Sequence, residues 1–297
     1  MRLLLVLLLF LFAAPAIAQE TPEEERSYFI NYVEEQLSTP NRQIRINNIQ
    51  GVLSSNATIG EIAIADREGV WLRITNAQIV WTRLALLRGR LDIDRLAADR
   101  IDILRKPLPD ESLPSPEAGS GFSVPELPLS VELDELQVPL VTFGEDVFGL
   151  AAQISVAGRL SLIDGALDTA LNVTRLDGPG GKFDFTANYA NATQVLALNL
   201  ALSEPADGVI ANLLGIEGRP PIALTLQGNG PVSTLDLALT MDANAERVLE
   251  GTTSLRQAAD GIRFTADVGG PISTLVAPRF RSFFGGGTRL QTKGTVG

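Results

Sequence analysis

Two residue types are missing altogether. The chain has 297 residues, with no cysteine and no histidine. Without cysteine there is no disulfide framework, no thiol nucleophile and no thiolate metal site. Without histidine there is no Ser-His-Asp triad and no imidazole ligand for a metal. Positive charge is also scarce. Lys106, Lys182 and Lys293 are the only lysines, and the formal net charge is −11. Displacing counterions from phosphate needs clustered positive charge, so no nucleic-acid partner is expected. A GxxxxGK[ST] phosphate loop is absent, and Gly285-Gly286-Gly287 after Phe283-Phe284 reads as a turn. Carboxylates could in principle pair as in a glycosidase. Asp92 with Asp94, Asp99 with Asp102, and Asp134 with Glu135 instead sit at outward positions of alternating strands. Glu204 and Asp207 flank Pro205 in what reads as a loop, and the same solvated reading applies. No catalytic residue, metal ligand or cofactor is therefore expected.

The composition that is present suits a packed protein, with 45% hydrophobic residues. Residues 1–18 read as an export segment. Arg2 gives a small positive start and residues 3–14 are an unbroken apolar run. Pro15 then breaks the helix, and Ala16-Ile17-Ala18 offers the small–x–small pattern of a cleavage site. A membrane-spanning helix needs roughly 20 apolar residues, so cleaved leader and retained anchor both stay open. Residues 21–38 predict a helix, with Thr21 as cap, Pro22 at its first position and Glu24 completing a capping box. Tyr28, Phe29, Tyr32, Val33 and Leu37 form its apolar stripe.

From residue 44 the period changes to two. Ile44 and Ile46, Ile62 and Ile64, Leu91 and Ile93, and Ile101 and Ile103 alternate with polar neighbours. Asn48 to Gly51, Asp66 to Gly69 and Arg88-Gly89 read as turns, and residues 82–88 as a short helical turn. The stretch 107–128 holds six prolines and reads as a linker or an extended cover strand between two β segments, 19–106 and 129–297. In the second segment Leu196, Leu198, Leu200 and Leu202 line one strand face. Phe183, Phe185, Ala187 and Tyr189 repeat the pattern, as do Ile222, Leu224 and Leu226, and Leu235, Leu237 and Leu239. Such one-sided strands belong to a sheet with one solvated face and one that must be covered. The cover can be a second sheet, the sheet's own curl, or a lipid. Residues 222–235 (IALTLQGNGPVSTL) recur 40 positions later as 262–275 (IRFTADVGGPISTL), the mark of a repeating β architecture. Trp71 and Trp81 read as core or sheet-end plugs more readily than as a ligand platform.

Residues 41–107 resemble the N-terminal region of the TamB family, the translocation and assembly module inner-membrane subunits of the AsmA-like group. The resemblance is carried by Ile49-Gln50-Gly51-Val52-Leu53, Ile62-Ala63-Ile64-Ala65-Asp66 and Gly69-Val70-Trp71-Leu72. It continues through Trp81, Leu86-Leu87-Arg88-Gly89-Arg90-Leu91, Leu96, Ile101 and Arg105 to Pro107. A proline-rich stretch ending in Leu127-Pro128, Leu202-Ser203-Glu204-Pro205 with the Gly-Pro corners, and Pro278 through Gly285 extend it. The ordering of these loose motifs is its specific part. The resemblance implies a mainly β fold, an elongated and curled antiparallel groove of the β-taco kind, preceded by an N-terminal helix. It implies inner-membrane anchoring, passage through the periplasm, and an outer-membrane partner of the Omp85 class. The implied roles are assembly or secretion of outer-membrane proteins and transport of phospholipid. The family's C-terminal domain has no counterpart in this sequence. With one greasy strand face, the expected lining for phospholipid acyl chains is Leu196, Leu198, Leu200, Leu224, Leu226, Leu237 and Leu239. Two other classes remain: a secreted structural or adhesive β-repeat protein, and a β-helical polysaccharide-processing enzyme.

Overall fold

The structure is a computed structural model. It describes residues 38–39, 42–51, 54–108, 129–178, 180–258, 261–275, 279 and 287–296. The export segment, the helix over 21–38, most of the proline-rich stretch and most of 278–285 lie outside the described residues.

The first segment supplies β1 (Gln43–Gln50), β2 (Asn56–Asp66), β3 (Gly69–Thr82) and β4 (Arg90–Ile103). After the proline-rich stretch come β5 (Ser130–Phe143), β6 (Ala152–Ile163), β7 (Ala166–Arg175), β8 (Lys182–Ala190) and β9 (Val195–Glu204). The chain continues with β10 (Ile222–Pro231), β11 (Asp236–Ala243), β12 (Glu246–Ala258), β13 (Gly261–Gly270) and β14 (Thr288–Val296). All 14 strands form one sheet in chain order, and β1 and β14 do not pair with each other, so the sheet is not closed into a barrel. Neighbours are antiparallel except β4 and β5, which pair in parallel with Leu91 opposite Val131 and Ile103 opposite Phe143. The sheet is therefore continuous across the proline-rich stretch. Parallel pairing also means that the chain leaves one end of the sheet after Ile103 and re-enters at the opposite end at Ser130.

Two short helices, α1 (Glu145–Phe148) and α2 (Val209–Leu213), follow β5 and β9. Antiparallel order places both at the same end, called the upper end below. The sequence-predicted helical turn is a 3₁₀ helix at Arg83–Arg88, closed by Gly89 in the left-handed conformation, φ 70°. It lies at the lower end, as does a second 3₁₀ turn at Val232–Thr234.

Strict alternation does not hold in the first five strands. The apolar residues of β5 step 131, 133, 136, 138, 141, 143, and those of β4 step 91, 93, 96, 98, 101, 103 in parallel. A step of three would turn the next side chain to the wrong face. Register irregularities between Leu133 and Leu136 and between Val138 and Val141 absorb it. Upstream, Asn48 (φ 56°) and Asn76 (φ 50°) do the same with left-handed backbone, which asparagine tolerates. Asn48, read from sequence as a turn residue, is thus a left-handed residue inside β1, opposite Gly60 and without a register shift. Because of these bulges Ala98, Val138 and Val141 share one cluster with Ile74, Ala77, Ile101, Ile154 and Val156.

The 40-residue repeat is real in structure. Each copy is a strand running into a Gly-Pro corner, β10 ending at Pro231 and β13 at Gly270, and followed by a 3₁₀ turn, Val232–Thr234 in one copy and Ile272–Thr274 in the other. The period spans three strands, an odd number, so the second copy runs in the opposite direction. Its Gly-Pro corner lies at the upper end while the first lies at the lower.

Candidate functional site

Pairing register puts the apolar positions of every strand on one face. One row crosses from β2 to β14 without a polar residue. It runs Ala57, Ile79, Leu96, Leu136, Gly158, Leu171, Phe185, Leu200, Leu226, Leu239, Gly251, Val268 and Leu290. Neighbouring rows are similar, for example Val156, Val173, Phe183, Leu202, Leu224, Met241 and Leu249. All described strands belong to the one sheet, so no second sheet among the described residues lies over this face. Leucines at the middle of this face, such as Leu200, Leu224 and Leu239, stay partly exposed for that reason.

All seven lining leucines expected from the sequence lie on this face, but they divide in two. Leu196 and Leu237 are core residues, packed with Tyr189, Val232 and Leu235 under the lower 3₁₀ turn, with Leu198 and Leu226 at the margin of that cluster. Leu200, Leu224 and Leu239 belong to none of the buried clusters and are the accessible part.

Three glycines stand within the rows for a steric reason. A Cβ on Gly228 would stand 2.7 Å from Leu237 Cδ2. On Gly158 it would stand 2.7 Å from Ala170 O, and on Gly251 2.2 Å from Asp267 O and 2.6 Å from Val268 Cα. Real side chains cannot approach backbone this closely, so these sites accept no side chain without moving a neighbouring strand.

The upper end is closed differently. Glu204, expected in a solvated loop, is instead the last residue of β9 and only 6% exposed. Its carboxylate accepts the Ile210 amide (3.0 Å) and the Ala211 amide (2.7 Å), two donors at the start of α2 that the helix itself leaves unpaired. A Cβ on Gly208 would strike that carboxyl group. Ala211 of the held helix and Ile216 just beyond it pack against Ile222, Met241, Ala243 and Val248. Asn212 Nδ2 donates to Phe148 O (2.9 Å), tying α2 to α1. The Phe143 and Phe148 rings meet with centroids 5.0 Å apart. Between these helices and the sheet lies a cavity of about 220 Å³, lined by Phe143, Phe148, Ile154, Val173, Phe183 and Leu202 together with Arg175.

Arg175 continues the row of Val141 and Ile154, so a charged residue stands where the pattern calls for an apolar one. Its side chain is 10% exposed. Nε donates to Asp177 Oδ1 at 3.0 Å, while Nη1 is buried and has no hydrogen-bond partner among the described residues. Burial would raise the Asp177 carboxyl, but the Arg175 guanidinium and the Gln153 amide outweigh it and hold it below the usual range. Sequence reasoning missed Arg175. The available signal was a charge at the in-facing position of Leu171, Val173, Arg175.

The opposite face is polar and carries ion pairs, including Arg73–Glu61 (3.3 Å), Arg90–Glu132 (3.2 Å) and Arg95–Glu135 (3.7 Å). Asp92 pairs with Arg90, and Asp99 accepts from Asn76. Asp102 accepts Arg100 Nε at 2.7 Å and the Thr142 hydroxyl. Asp207 pairs with Arg219. No cluster of metal-ligating side chains occurs among the described residues. At the upper end Asp66 and Arg105, both in the resemblance motifs, meet across 39 positions, with Arg105 Nη1 donating to Asp66 Oδ2 at 2.8 Å. Arg105, with the Leu108 and Glu68 amides, holds the Asp66 carboxyl far below the usual carboxylate range against the opposing effect of burial. Trp81 Nε1 donates to Ser54 O (3.0 Å), as a lower-end plug would. No described helix is long and apolar enough to cross a membrane. No family model, curated protein or solved structure matches the chain.

Proposed function

We propose that this chain is a non-enzymatic protein of the bacterial cell envelope. In this reading its apolar sheet face forms an elongated, curled groove that carries phospholipid acyl chains. It is held at the inner membrane, extends through the periplasm toward an outer-membrane partner of the Omp85 class, and serves outer-membrane protein assembly or secretion and phospholipid transport. The observation that carries the proposal is the apolar row from β2 to β14 with no second sheet over it among the described residues. A monomeric soluble protein rarely leaves so large an apolar surface without a ligand or partner. Two further observations support a curled face. Side chains crowd on the concave side of a bent sheet, and Gly158, Gly228 and Gly251 lack side chains where a Cβ would collide. Aligned bulges in the early strands bend a sheet in the same way.

The mechanism is passive. An acyl chain on the row of Leu200, Leu226 and Leu239 leaves water without any covalent step, at about 0.8 kcal/mol for each methylene buried. The order of motifs shared with the TamB family supports the cellular setting. The test is lipid extraction and mass spectrometry of the purified chain, with a photo-crosslinking residue at position 200. Phospholipid recovered from the chain and crosslinked at 200 is the expected result. A chain free of lipid and uncrosslinked at 200 in membrane extract would refute the groove.

A further inference from the structure

The acyl track accounts for leucines but not for Arg175, which sits on the same face. Among the described in-facing strand positions of β4 to β11, Arg175 and Glu204 are the charged ones. Glu204 is consumed by the α2 amides. Arg175 is not consumed. Asp177 takes Nε at 3.0 Å and lies 3.5 Å from Nη2, which leaves both N–H donors of a buried Nη1 without an acceptor. A buried guanidinium donor left unpaired costs more than an unpaired neutral one, so its persistence calls for a partner. The side chain lines the cavity under α1 and α2, whose other walls are Phe143, Ile154, Val173 and Phe183. An acceptor-bearing group in this cavity has its hydrocarbon continuation directly on the apolar rows of β7 to β10.

We propose that the upper-end cavity is a head-group subsite, in which the Arg175 guanidinium turns its enclosed Nη1 into the cavity and binds the oxyanion of an amphiphile whose acyl chain runs down the sheet face. The proposal rests on the acyl-track reading and deepens it. The shared ligand chemistry is a singly charged oxyanion, either a fatty carboxylate or the phosphodiester of a phospholipid. Asp177 orients the guanidinium and competes with the ligand for it.

The experiment measures binding of three probes with the same palmitoyl chain to the full chain: monopalmitoylglycerol, palmitate and palmitoyl-lysophosphatidylglycerol. At least one anionic probe is expected to bind about tenfold more tightly than the neutral one, the increment of one hydrogen bond to a charged group. Preference for palmitate alone assigns a carboxylate source, and preference for the lysophospholipid a phosphodiester source. Arg175→Gln is expected to abolish the preference. Asp177→Asn, which keeps Arg175 and removes its competitor, is expected to widen the preference, and it guards against misfolding of the first variant. Equal affinities for all three probes, or a preference that survives Arg175→Gln in a folded protein, would overturn the subsite but leave the track intact. Failure of every probe to bind would overturn the track as well.

Discussion

Asp66 accepts from four donors at once: two guanidinium nitrogens of Arg105 and the amides of Leu108 and Glu68. With its carboxyl held below the ordinary range, the ionised form stabilises the fold. That contribution is fully present above the unfolded-state value of about 3.9 and fades as pH falls below it. Asp66→Asn is therefore expected to lower the melting temperature at neutral pH, and the gap from wild type should close on acidification below about pH 4. Thermal melts of both proteins across that range check the sign. Glu204 is a second single-residue clamp. Glu204→Ala leaves the Ile210 and Ala211 amides unpaired at the inner side of α2 and should cost about 1–3 kcal/mol in urea unfolding. Amide exchange should accelerate at those two positions before it does in β9.

At the scale of elements, glycine placement makes a sharper forecast than strand propensity does. Alanine is normally no worse than glycine in a strand. Gly251→Ala should nevertheless destabilise by about 1–3 kcal/mol, because its Cβ would lie 2.2 Å from the Asp267 carbonyl oxygen. Gly230→Ala is the control. Its nearest neighbour, Leu235 Cδ1, is 3.8 Å away, and the change should stay within about 0.5 kcal/mol. The strands themselves were legible from alternation alone in the second half, where Leu196 to Leu202 and Phe183 to Tyr189 pair as the pattern requires. The first half was less legible. Its bulges insert a step of three, and a period-two reading loses the face at each one. The repeat at 222 and 262 was visible as text, but its reversal of direction follows only from counting the strands between the copies.

Across the whole molecule the issue is whether the apolar face is core or surface. Leu235 is 1% exposed and fully packed. Leu235→Ala should cost about 2–5 kcal/mol. Leu200 lies on the apolar row outside the buried clusters. Leu200→Ala should cost clearly less, about 1 kcal/mol, while weakening recovery of bound lipid. Equal stability losses at the two positions would mark the face as a dry core. The two leucines look alike in an alternating pattern, since both follow polar or small neighbours on a strand.

The sequence by itself determined the secondary structure class and the chemistry that is out of reach. Absent cysteine and histidine remove thiol and imidazole chemistry before any folding, and side-chain alternation dictates a sheet with one apolar face because neighbouring residues of a strand point opposite ways. Only the tertiary structure decided which apolar residues are core, since burial depends on the 3₁₀ turn and helix that happen to lie over each end. It also decided the fate of the charges. Glu204 and Arg175 look like ordinary surface residues in the chain. Register turns both inward, where one finds the α2 amides and the other keeps a donor with nothing to meet.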